Sequence, residues 1–118
     1  MTYTLLIYRT ALASMPIPEK EERAALAGHR ALQAETEASG ELHAVARLDD
    51  PSTARTVKRR VGAHDVSDGP YIETKEWLVG IYLLECENEE QALARARLLA
   101  QDSAHVIEVR PVTWRKVP

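Results

Sequence analysis

Apolar and polar positions alternate along this chain in two distinct rhythms. Tyr3 to Tyr8 is short, apolar and rich in strand-forming residues, which predicts a buried strand. After the breaker Met15-Pro16-Ile17-Pro18, the spacing changes to that of a helix. Pro18 suits a first helical turn, where its missing N–H costs nothing. Glu19, Glu21 and Glu22 complement the positive end of the helix dipole. The helix is predicted to run to about Ser39, with Gly40 as a left-handed terminator. Ala25, His29, Leu32 and Thr36 fall on one stripe, with Leu26 and Ala31 beside it. Leu42 to Leu48 reads as a second strand, ended by Asp49-Asp50-Pro51-Ser52. Thr56 to Val61 and Ala63 to Ser67 suggest a hairpin turning near Gly62. Trp77 to Cys86 is a strand apolar on both faces, with Trp77, Val79, Ile81 and Leu83 on one and Leu78, Tyr82 and Leu84 on the other. Asn88 and Gln91 have capping-box spacing and open a second helix to about Ala100, whose inner side would be Ala92, Leu93, Ala96, Leu99 and Ala100. Val106 to Val112 alternates again, Ile107 and Val109 opposing Glu108 and Arg110.

The order β-α-β-(hairpin)-β-α-β describes an α+β protein of the ferredoxin-like sandwich type, with both helices on one sheet face. At 118 residues the chain suits one domain, 1–118. A strand apolar on both faces with two helices to cover one of them predicts a homodimer. The net charge of −3 gives no general attraction to nucleic acid or anionic membrane. The basic cluster Arg55, Lys58, Arg59 and Arg60 reads as a solvated hairpin face. Cys86 is the single cysteine, which excludes an intrachain disulfide and a cysteine-rich metal site. With no leader pattern and no apolar run near the roughly 18 residues of a membrane span, a cytoplasmic protein is expected.

The densest chemistry lies in Asp68-Gly69-Pro70-Tyr71-Ile72-Glu73-Thr74-Lys75-Glu76. Pro70 sets its own φ and keeps Gly69 from the helical region, so the segment opens as a turn. If the chain is extended beyond it, Tyr71, Glu73 and Lys75 share one face. This motif resembles the signature of the DGPF-type branch of the YCII-related proteins, with Tyr71 where that family usually has Phe. The resemblance extends to Leu5-Leu6-Ile7-Tyr8, Glu21-Glu22-Arg23-Ala24-Ala25-Leu26 followed by His29, Ser39-Gly40, Gly80, Tyr82-Leu83 and Glu108-Val109-Arg110-Pro111-Val112. It implies a ferredoxin-like chain whose sheet faces that of a second copy in a dimeric α+β barrel. It also implies a first-helix histidine that faces a pocket and works as an acid/base with an aspartate. His29 matches that histidine. Asp68 matches the branch signature, and Asp102 stands near the wider family's aspartate position after the second helix.

A histidine that titrates near neutrality can take or give a proton, and a carboxylate fixes its tautomer. The candidate site is therefore His29 and Asp68 as the catalytic pair, with Tyr71, Glu73, Lys75 and Arg110 as substrate-binding groups. Lys75 or Arg110 could hold an anion or a developing enolate, unless Glu73 and Glu108 neutralise them as cross-strand pairs. His29, His43, His64 and His105 lack metal-motif spacing, so no metal and no cofactor is expected. No phosphate-cradling loop or nucleophile elbow occurs. The reading is a small-molecule lyase or isomerase acting by proton transfer on an anionic or phenolic substrate. The alternatives are a noncatalytic metabolite-sensing or protein-interaction module and a cofactor-independent monooxygenase.

Overall fold

The computed structural model describes residues 1–10, 16–72 and 75–118. The chain runs β1 (Thr2–Thr10), α1 (Glu19–Ser39), β2 (Leu42–Arg47), a 3-10 turn (Pro51–Thr53), β3 (Arg55–Arg60), β4 (Ala63–Asp68), β5 (Glu76–Glu85), α2 (Glu89–Leu99) and β6 (His105–Pro111). β2, β5, β1 and β6 form, in that order, one antiparallel four-stranded sheet, and β3 and β4 form a separate ribbon. This α+β arrangement is compatible with a ferredoxin-like fold. Both helices share one core with one sheet face. Leu32 of α1 and Ala92, Ala96 and Leu99 of α2 join Tyr3, Leu5, Ile7, Tyr82, Leu84 and Cys86 in a single buried cluster.

Local signals place the ends of the elements. Pro18 stands at the N-cap of α1, one position before the first turn, and Glu22 N–H donates to its carbonyl. Gly40 is left-handed at φ 76°, and its N–H returns to Glu37 O. Asn88 caps α2 by accepting from Gln91 N–H, while Gln91 Oε1 accepts from Glu87 N–H. The hairpin turns at Val61-Gly62 with Gly62 at φ 75°.

Three expectations need correction. Leu26 and Ala31 do not flank the buried stripe of α1: both are exposed, and Gly28 is buried in their place. The reason is a close helix crossing, in which a Cβ on Gly28 would lie 1.8 Å from the carbonyl oxygen of Leu98. On α2 the inner face takes Arg95, whereas Leu93 and Ala100 are exposed. Arg95 is 3% exposed and donates to Glu41 Oε1 (2.8 Å), Glu85 O (2.9 Å) and Cys86 Sγ (3.4 Å). Neutralised by Glu41 and bonded to a strand carbonyl, the guanidinium can occupy a core position. The third correction concerns β5. Ile7 pairs with Gly80 but Tyr8 pairs with Leu78, so Val79 is a bulge residue. Val79 packs against the core, and Leu78 turns to the opposite face with Tyr8. Strict alternation along Trp77 to Leu84 therefore breaks at Val79.

Candidate functional site

His29 sits mid-way along α1, one residue beyond the crossing at Gly28, and is half-buried. Its ring stacks on Tyr82 at 5.7 Å between centroids and 25° between planes. Nδ1 lies 2.7 Å from the Tyr82 hydroxyl, and Gln33 Nε2 donates to that hydroxyl at 3.0 Å. With its oxygen accepting from Gln33, the hydroxyl has its own proton free for Nδ1. That arrangement satisfies all three groups and leaves the imidazole proton on Nε2. Among the described residues, Arg95 Nε is the sole buried side-chain polar atom without a partner, so Nε2 of His29 keeps contact with solvent. Burial pushes the pKa of His29 down, the nearby His105 pushes it the same way, and Asp102 opposes both. Burial also pushes the Tyr82 phenol up, against the Gln33 hydrogen bond. The pair is therefore neutral near pH 7, with an N–H donor presented outward.

The groups that act on His29 are themselves ordered. Asp102 lies in the turn leaving α2, with a buried side chain. Its Oδ1 accepts from the backbone N–H groups of Ala104 (2.8 Å) and His105 (2.9 Å). Nδ1 of His105 is 3.0 Å from both carboxylate oxygens. A carboxylate only accepts, so Nδ1 carries the proton and Nε2 of neutral His105 holds a lone pair. Periodicity could not reveal this dyad, because Asp102 lies in a turn and His105 at the very start of β6. Its local signal was an Asp and a His three residues apart after a helix end.

The other expected site residues are dispersed. Asp68 pairs with Arg55 across the hairpin (3.4 Å), and the described contacts do not join it to His29. Tyr71 and Lys75 are exposed, and Glu73 lies outside the described residues. Arg110 is ion-paired with Glu108. It is opposite Thr4 in the register, one position from the core residue Leu5, and so faces away from the helices. The DGP turn contributes instead to a separate groove of about 580 Å³, where Pro70 and Ile72 meet Tyr8, Leu48, Trp77 and Leu78. Among the described residues no three His, Cys, Asp or Glu side chains are placed to hold a metal ion, and no helix is long and apolar enough to cross a membrane.

An antiparallel sheet covered by two helices, with a half-buried histidine of α1 set against a strand tyrosine, defines an α+β protein with a small polar site at the helix–sheet junction. The chain belongs to the YCII-related family, whose domain model matches residues 1–115. It is also similar to an uncharacterized protein of Rhizobium meliloti (strain 1021), with 35% identity over 118 residues, covering 98% of this chain and 95% of the relative.

Proposed function

We propose that this protein is a small-molecule lyase or isomerase of the DGPF-type branch, moving a proton between a carbon acid and a histidine. The observation that carries this reading is the Tyr82 hydroxyl held at 2.7 Å from Nδ1 of His29, which keeps a neutral imidazole with its N–H outward. Such a donor stabilises a developing enolate or phenolate oxygen. The base is His105, oriented by Asp102. Asp102 is preferred to Asp68 as the carboxylate because it is the one whose charge acts on His29. In the step, Nε2 of His105 takes the proton of an acidic C–H, and the electron pair left behind moves onto the carbonyl oxygen facing His29. Return of the proton to another atom gives an isomer, and loss of a leaving group gives an elimination product. The open sheet face and the family resemblance support a homodimer, and the lone buried thiol of Cys86 suits a reducing cytoplasm.

The test is proton exchange. Small keto acids and phenols are incubated in D2O with wild type, His29→Gln and His105→Asn, and C–H loss is followed by NMR. Exchange by wild type that falls by a hundredfold or so in both variants, as removal of a general acid or base does, supports the reading. Exchange that survives both substitutions refutes it. Saturable binding with no exchange would identify a metabolite-sensing module instead.

A further inference from the structure

Among the described residues, Arg9 is a cation without a counter-ion, in the half-buried end of the sheet. In the register it is directly opposite His105 on one side and Trp77 on the other. Residues directly opposite across an antiparallel pair have Cβ atoms about 5 Å apart and point to the same face. His105 is two positions from Ile107, which packs on the core, so this row lies on the helix-covered side of the sheet. Arg9 is half-buried, and no ion pair or hydrogen bond of its guanidinium occurs among the described residues. The nearby carboxylate, Asp102, is already occupied by two backbone N–H groups and the His105 ring. Arg9, with five guanidinium donors, therefore leaves the sheet next to the residue whose imidazole is held by Asp102. His29 approaches the same corner, because Gly28 seats α1 on Leu98, four residues before Asp102.

We propose that Arg9 is the anion anchor of this site and takes the carboxylate of a small keto acid, with His105 beside it at the reacting carbon. The substrate class rests on the preceding reading of His29 and His105 as donor and base. The guanidinium fork matches a carboxylate in two parallel hydrogen bonds. A carbonyl one or two bonds from that carboxylate reaches His29, and the acidic C–H between or beside them reaches His105. Lys75 and Arg110 are not needed for this role, since the former is exposed and the latter is already paired with Glu108.

The experiment uses pyruvate and phenylpyruvate as probes, with their methyl esters as neutral counterparts, in titrations followed by the NMR signals of His105 and the Arg9 side chain. Saturable shifts with the acids and much weaker ones with the esters are expected. Arg9→Met should weaken acid binding by roughly ten- to a hundredfold, the usual worth of a hydrogen bond to a charged group. Arg9→Lys should fall between, and serves alone if the methionine variant does not fold. His29→Gln should retain acid binding, because it leaves the anchor intact. Acid binding without proton exchange in wild type would sink the catalytic reading and still support the anchor. Equal binding of acids and esters, unchanged affinity in both Arg9 variants, or no shift with either acid would overturn the proposal.

Discussion

Gly28 shows how one missing methyl group sets the geometry of the site. Its backbone touches that of Leu98, so α1 and α2 cross where His29 begins. Gly28→Ala has no flexible side chain to push aside and must displace a helix. It should destabilise the fold by about 1–3 kcal/mol, read from urea midpoints. A midpoint unchanged or raised by Ala's better helix propensity would show that the helices part freely. One position governs pH behaviour at this scale. His29 has a folded pKa below its reference of 6.5, because burial and His105 disfavour the charged ring. The unfolded chain then binds the proton first, so stability falls as pH drops from about 7 through 6.5 toward the lower folded value. His29→Asn should flatten that part of the stability–pH curve, and parallel curves for the two proteins would contradict the assignment. Arg95 and Gly28 were also the residues least legible beforehand. One is a charge and the other the poorest non-proline helix former, and each is buried because of a partner far away in sequence.

At the scale of elements, the hairpin stands apart from the four-stranded sheet and is closed by its own contacts. Gly69 has φ 93°, a region side chains rarely enter, while its N–H donates to Ala54 O (2.7 Å) and its carbonyl accepts from Thr56 Oγ1 (2.8 Å). The DGP turn thus clasps the open end of the ribbon. Gly69→Val keeps these bonds only with strain and should cost on the order of 1–3 kcal/mol. A thermal melt indistinguishable from wild type would mean that the clasp contributes nothing to global unfolding. The turn itself was readable from Asp-Gly-Pro, since its cause is local. The bulge at Val79 was not, because a bulge is a relation between β1 and β5 and neither strand alone encodes it.

For the whole molecule, the unpaired feature is the sheet face away from the helices. Thr4, Leu6, Tyr8, Ile81 and Leu83 are half-buried there, with the exposed Val106 at the edge. An apolar patch of this kind is a candidate interface, and a second copy seated on it would bury more than roughly 1,000 Å² in total. Sedimentation should give a dimer at micromolar concentration, and Leu83→Arg should shift it to monomer with the secondary structure retained. A wild type that sediments as a monomer at that concentration would remove the proposal.

The amino-acid sequence by itself determined the kind and order of the elements, because periodicity, Gly40, Asn88 and the DGP turn act within a few residues of themselves. It also placed His29 on the inner side of α1. Tertiary structure alone decided what His29 meets. Tyr82 meets it from a strand, with its hydroxyl held by Gln33 from the next helical turn. The charges of Asp102 and His105 act on it from the exit of α2, and Arg9 pairs with His105 through strand register. Arg9 and His105 are 96 residues apart yet paired in the register, and His29 is 53 residues from Tyr82. Contacts of that range arise from packing and pairing, which no local pattern specifies.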